Sequence, residues 1–334
     1  MKKDYPCKKL LSGIIGAALG CLVNIPAIAQ ADMAYPDRAI RLVVGYAPGG
    51  PTDILARQIG PELARELGQS IIIDNKAGAS GNIGGREVAN ARPDGYTLLM
   101  GDLTLATNPS LMKAMPFDPI KDLEAVASLA SAPLALVVGP KTQAQTLDEL
   151  IKFARANPGE LTYGTAGSGN LTHLAGEVLK IATGADIQQV PYRGSGPAIT
   201  DLLGGELSMV ITGLSSSAGF IKEGRLRPLA ITGKARSPLL PDVPTFSEAL
   251  GKPLPELELG SWWGLFAPAG TPDAIVEKVN AAAQKVMNNP DFKNRLTSMN
   301  IVADSGTPAE LDTRLKSEYD NWARVIRDAG VPVQ

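Results

Sequence analysis

The chain has 334 residues, of which 44% are hydrophobic and 20% charged, with 32 basic and 34 acidic side chains and a single histidine. That length suits about two domains of ~100–200 residues each. The balance excludes a disordered chain and gives no basic surface for nucleic acid.

Residues 1–29 have the form of a secretory signal: Lys2, Lys3, Lys8 and Lys9, a largely apolar run over 10–28, and Ala27-Ile28-Ala29 as an A-x-A cleavage site. A lipoprotein reading at Leu19-Gly20-Cys21 is weaker, because the apolar run continues past Cys21. An uncleaved anchor is disfavoured by Asn24 and Pro26. Cleavage after Ala29 removes both cysteines (Cys7 and Cys21), so the mature chain can form no disulfide and offers no thiolate. It also removes four Lys and Asp4, leaving 28 basic and 33 acidic residues, a net charge of −5.

The elements follow in order. An apolar run at 39–45 predicts a parallel strand buried on both faces. The glycine- and proline-rich turn Gly45-Tyr46-Ala47-Pro48-Gly49-Gly50-Pro51 leads into a helix from Thr52, with Leu55, Ile59, Leu63 and Leu67 on one face. Pro61 is expected to kink or split that helix, and Gly68 to end it. A strand at 70–74 opens a second glycine-rich turn, 75–85, and a helix to about Ala91. Residues 96–100 predict a third strand, followed by a loop over 102–109.

A strand at 134–138 begins a second run. A helix at 146–157 and a strand at 161–165 lead to a third glycine-rich turn, 164–170, then to a helix with the stripe Leu171, Leu174, Ala175, Val178, Leu179. Strands at 187–190, 207–212 and 226–232, a helix at 197–203 and a loop at 238–244 come next. The chain returns through 257–266, with Trp262 and Trp263, to helices at 271–287 and 307–329. Thr271 is expected to cap the first of these, with Pro272 at its first position. Alternating strands and helices predict an α/β fold with mostly parallel sheets.

Each strand–glycine turn–helix unit presents unpaired N–H groups and the positive end of a helix, which together can cradle an anion. None of the three turns is a nucleotide motif: Thr172 stands where GxGxxG needs its last glycine, and no GxxxxGK[ST] occurs. His173 alone cannot build a zinc site, and its simplest role is local bonding in a first helical turn. Arg193, on a loop, is either solvated or a clamp for a carboxylate. Trp262 and Trp263 are read as core or hinge, one of them a candidate pocket wall.

The series Tyr46-Ala47-Pro48-Gly49-Gly50-Pro51-Thr52-Asp53, Asn75-Lys76-Ala77-Gly78-Ala79-Ser80-Gly81-Asn82-Ile83-Gly84, Pro93-Asp94-Gly95-Tyr96-Thr97, His173-Leu174-Ala175 and Pro191-Tyr192-Arg193-Gly194 resembles the Bug family over essentially the whole mature chain. Members are periplasmic receptors of tripartite tricarboxylate transporters. The resemblance implies a type II periplasmic-binding-protein fold, with two α/β domains joined by crossover strands around a ligand cleft. The expected division is a first domain at 30–131 and 246–334 and a second at 132–245. It implies a small organic carboxylate as ligand, no cofactor, no metal and no enzymatic activity. The implied partners are transporter membrane subunits or a sensor ectodomain, and the protein is expected to be a monomer. Carried over, the ligand-binding positions are Tyr46, Gly49, Gly50, Ala79 and Gly81, with Thr165, Ser168, Gly169 and Asn170 opposite; Thr104, Asn108 and Arg193 complete the set.

The chain departs from the family at Ala77 and Ser80 in the second turn, at Pro61, and at Thr212-Gly213, where relatives often carry Asp-Asn. The last departure favours a carboxylate without an amine. The rival reading is a secreted enzyme acting on organic acids. It lacks a histidine pair and a thiol, and only Asp53 and Asp102 offer carboxylates in the loops.

Overall fold

The first strand, β1 (Ile40–Val44), is sealed at Ile40, Leu42, Val43 and Val44, as a strand covered on both faces must be. The computed structural model describes residues 35–258, 260–328 and 333. The expected signal at residues 1–29 and its expected cleavage site, with Cys7 and Cys21, lie outside the described residues. From β1 the chain runs through α1 (Pro51–Leu67), β2 (Ile71–Asn75), α2 (Asn82–Ala89), β3 (Thr97–Asp102) and α3 (Thr104–Leu111) to β4 (Leu123–Ala132). Next come β5 (Leu134–Val138), α4 (Leu147–Ala156), β6 (Leu161–Thr165), α5 (Leu171–Thr183), β7 (Ile187–Pro191), α6 (Ser195–Gly204), β8 (Met209–Gly213), α7 (Leu214–Lys222), β9 (Arg227–Ile231) and α8 (Phe246–Leu250). The chain ends with β10 (Ser261–Pro268), α9 (Asp273–Asn288), α10 (Pro290–Thr297), β11 (Val302–Ala303) and α11 (Pro308–Asp328). No helix among the described residues is long and apolar enough to cross a membrane.

Two sheets form, in the orders β11-β4-β10-β3-β1-β2 and β7-β6-β8-β5-β9. Both are mixed, where mostly parallel sheets were expected. β10 runs antiparallel to β3 and β4, and β5 antiparallel to β8 and β9. The reason is the crossing. β4 ends where the first lobe faces the second, so β5 must start at that face, opposite in direction to the β6, β7 and β8 strands that end there. β10 returns under the same constraint.

Four local expectations are corrected. α1 continues through Pro61 as one helix, so Pro61 does not split it. Pro61 is exposed, and the buried stripe Leu55, Ile59, Leu63 and Leu67 packs on both sides of it, which outweighs the lost hydrogen bond. Residues 104–111 are α3, not loop, with Pro109 inside the helix. The Thr271 hydroxyl donates to Pro268 O at 2.7 Å and does not cap α9, whose cap position is Pro272. Residues 246–257, placed with the first domain from the sequence, pack on the second sheet's helices and strand: α8 lies against α4 and β9, and the turn Pro255–Leu257 against α5.

The packing tolerance is tight where α5 crosses β6. A Cβ at Gly176 would stand 2.2 Å from the buried Tyr163 ring. Gly176→Ala is expected to cost about 1–3 kcal/mol by overpacking, read as a lower urea midpoint in an unfolding titration followed by circular dichroism.

Candidate functional site

The loops that follow the parallel strands meet between the two sheets. The Ala47 N–H donates to Arg193 O at 2.9 Å, and the Ser80 hydroxyl donates to Ser168 O. A Cβ at Gly196 would fall 2.3 Å from Pro48 O, so these backbones approach only because that side chain is missing. Within the first lobe, a Cβ on Gly45 would stand 2.7 Å from the Gly81 Cα. A cavity of about 50 Å³ lies between the lobes, with Tyr46, Gly50, Thr52 and Asp102 on one side and Asn170, Ser195 and Gly213 on the other.

Its walls are helix starts. α1, α6 and α7 have Gly50, Gly194 and Gly213 at their cap positions, and none has a side-chain cap. Gly50, Ser195 and Gly213 line the cavity, so three helix positive ends converge on it. The Ser195 hydroxyl, on a residue 2% exposed, has no hydrogen-bond partner among the described residues. A buried hydroxyl left unpaired is costly, and this one is at the cavity wall. By contrast α5 is capped: Asn170 Oδ1 accepts the Thr172 and His173 N–H groups at 2.9 and 3.1 Å. With Oδ1 taken, the group Asn170 can offer the cavity is its NH2.

Another part of the wall is a connected polar network. Trp263 Nε1 donates to Thr52 Oγ1 at 3.0 Å, which leaves the Thr52 hydrogen to donate to Asp102 Oδ2 at 3.3 Å. Asp102 Oδ1 receives the Thr104 N–H at 3.0 Å, the Thr104 hydroxyl, and the Tyr46 hydroxyl at 3.3 Å. Burial raises the Asp102 carboxyl above its ordinary value, against the opposing pull of these donors, and pushes the Tyr46 phenol well up.

A second carboxylate holds the first two loops together. Asp53 accepts the Gly49 N–H at 2.9 Å, both Arg57 contacts, and the Asn75 amide at 2.9 Å, while Asn75 also donates to Tyr46 O. Burial works to raise the Asp53 carboxyl, and Arg57, Gly49 and Asn75 together outweigh it and hold it below the usual range.

Of the residues singled out from the sequence, Tyr46, Gly50, Thr104 and Asn170 line the cavity. The others stand around it. Gly49 and Gly169 give their N–H groups to Asp53 and to His173 Nδ1. Gly81 lies under the Tyr46 hydroxyl, and Ala79 is exposed with a φ of 46°. Asn108 bonds to Ser80 O and Asn82, Thr165 accepts from Gln189, and Ser168 contributes its carbonyl to the Ser80 contact. The Arg193 side chain is exposed, and the residue acts through its carbonyl. His173 is buried, accepts from Gly169, and has its titration pulled down by burial. Trp263 is the tryptophan that walls the cavity. Sequence reasoning passed over Ser195, gave Thr52 only as a helix start, and noted Gly213 only as a departure from the family. Ser195 directly follows the Pro191–Gly194 motif and starts a helix, which was its available signal. Among the described residues no group of three or more His, Asp or Glu is placed to hold a metal ion.

Residues 55–331 match the family described as the tripartite tricarboxylate transporter family receptor (TctC). The periplasmic binding protein BugD has the same fold at a TM-score of 0.86, with 32% identity over 90% of this chain and 100% of that one. An R. palustris protein with adipate gives 0.84 and 35% identity, over 89% and 98% of the two chains. MatC from Rhodopseudomonas palustris, with bound malate, gives 0.82 and 33% identity over 87% and 100%.

A raised folded-state value means that, between the unfolded and folded values, Asp102 keeps a proton which the unfolded chain gives up, so its contribution to stability falls as pH rises from the unfolded value through the folded one. Asp102→Asn removes that dependence. The variant is expected to melt a few degrees above the native protein near neutral pH, with the gap shrinking as pH falls towards the ordinary 3.8. Thermal melts across that range check it.

Proposed function

We propose a function from one premise: the chain belongs to the tripartite tricarboxylate transporter receptor family, a family of binding proteins and not of enzymes. The protein captures a small organic carboxylate between its two lobes and presents the closed form to the membrane subunits of such a transporter. It does so in the periplasm, after export on the signal at residues 1–29, and as a monomer. The bound relatives support the ligand class, one structure holding adipate and another malate.

The observation that carries the reading is the convergence of three uncapped helix starts and the unpartnered Ser195 hydroxyl on one cavity. Helix positive ends and a hydroxyl without a partner among the described residues suit an anion, and a carboxylate in a site with little water gains more from them than it would in solution. The two lobes then act as a hinge: the strands cross near residues 132–134 and again before 261, and the Ala47–Arg193 and Ser80–Ser168 bonds form on closure. Tyr46, Gly49, Gly50, Ala79, Gly81, Thr104 and Asn108 act from the first lobe, with Thr165, Ser168, Gly169 and Asn170 from the second. Arg193 contributes its backbone to the closed contact.

The test is a thermal-shift panel on protein from residue 30 onward, stripped of carried-over ligand, with C4–C6 dicarboxylates, citrate and aromatic acids. A carboxylate at ~100 times its dissociation constant adds roughly 2.7 kcal/mol, a shift of several degrees. Gly50→Val is expected to abolish that shift without lowering the unliganded melting point by more than a degree or two. The added Cβ finds its nearest neighbour, Ser195 N, at 3.6 Å, ordinary contact distance, so the backbone need not move to admit it. No shift with any acid, and no acid in native mass spectra of unstripped protein, would overturn the reading.

A further inference from the structure

The cavity that receives a carboxylate also exposes one of its own. Asp102 lines the same small space as Gly50, Ser195 and Asn170, and nothing positively charged neutralises it: its partners are three hydroxyls and one N–H. The hydrogen-bond directions are set from outside. Trp263 Nε1 can only donate, so Thr52 accepts from it and turns its own hydrogen to Asp102 Oδ2. Oδ1 is filled by the Thr104 N–H, the Thr104 hydroxyl and Tyr46. Oδ2 has the single Thr52 contact at 3.3 Å and keeps acceptor capacity. The cavity is therefore two-signed, with helix starts and the Ser195 hydroxyl supplying donors and Asp102 supplying an acceptor.

Building on the carboxylate-receptor reading, we infer that Asp102 makes this site select carboxylates that also carry a hydrogen-bond donor, a hydroxyl or an ammonium, over the same acid without one. A second bare carboxylate placed against Asp102 meets like charge and leaves both acceptors unpaired. A hydroxyl or ammonium there pairs with Oδ2. Sites built to hydrogen-bond a ligand group discriminate strongly against analogues lacking it, because the buried partner is then left unsatisfied. The absence of an acidic residue at Thr212-Gly213 argued for a ligand without an amine; Asp102 supplies an acid from the other lobe and reopens that choice.

The experiment is calorimetric titration of native protein and Asp102→Asn with two matched pairs, malate with succinate and citrate with tricarballylate, and with aspartate as the ammonium arm. Asparagine keeps the shape and an acceptor for Thr104 and replaces the charged acceptor with an NH2. Native protein is expected to bind the hydroxylated member of at least one pair, or aspartate, tenfold or more tighter than the acid lacking the donor. In Asp102→Asn that ratio is expected to fall towards one or invert, with the variant's folding checked by its thermal melt. Malate against aspartate tells hydroxyl from ammonium. Equal binding within both pairs and of aspartate, or an unchanged ratio in a folded Asp102→Asn, would reduce Asp102 to an internal acceptor for Thr104, Thr52 and Tyr46 and overturn the inference while leaving the receptor reading intact. Binding of donor-free acids alone would do the same. Binding of no carboxylate at all would overturn both.

Discussion

Three helices start at one cavity without a side chain to close their first turns. Converging positive ends repel each other, and helix starts without a side-chain cap in a small space lose hydration. A fold that served only its own stability would place Ser, Thr, Asp or Asn at those cap positions, as the chain does for α4 at Thr146 and α5 at Asn170. Instead Gly50, Gly194 and Gly213 stand there. The remaining architecture serves this arrangement: strands of both sheets end towards the cleft so that their helices begin there, and the crossing strands run the other way so that the chain can pass between lobes.

Bringing backbones this close demands rigidity in the loops that carry them. Asp53 supplies it on the first lobe, drawing the Gly49 N–H, Arg57 and Asn75 to one carboxylate and tying the first turn to the end of β2. The second turn carries two non-glycine residues in left-handed backbone, Ala79 and Ser80, with φ of 46° and 52°. Such conformations cost of order 1–3 kcal/mol each and persist only where surroundings enforce them. Here Asn108 holds Ser80 O from one side and the Ser80 hydroxyl reaches the opposite lobe from the other. The strained residue is therefore one of the few that connect the two lobes.

What was legible in the sequence was periodic or punctuated. The stripes of α1 and α5, the stop at Gly68, the strand at 161–165 and the Pro191–Gly194 turn all declare themselves through neighbours in the chain. α7 escaped notice because Ser215, Ser216, Ser217 and Gly219 blur its apolar face, and α3 because Pro109 reads as a loop residue. The mixed sheets were invisible because a strand's direction is decided by where the chain must cross, not by its residues. The cavity was legible only in part. The motif at 46–53 pointed to Gly50 and Tyr46, whereas Ser195 and Trp263 reach the same space from segments about 140 and 210 residues further along, and only tertiary packing joins them.

Asp102 illustrates why one carboxylate can stabilise a loop while another is a cost. Asp53 is paired with a guanidinium and two neutral donors, and its charge is held in place. Asp102 is buried with neutral donors alone, so its charge is poorly compensated and its carboxyl is driven upward. Neutral residues at that position could satisfy Thr104 and Tyr46 at lower cost. Stability alone thus gives no reason for an acid at the wall of a cavity whose other surfaces are donors. A ligand able to use the spare acceptor does give one, since complementary donors and acceptors in a single small space orient an asymmetric acid and reject the symmetric acid of the same length.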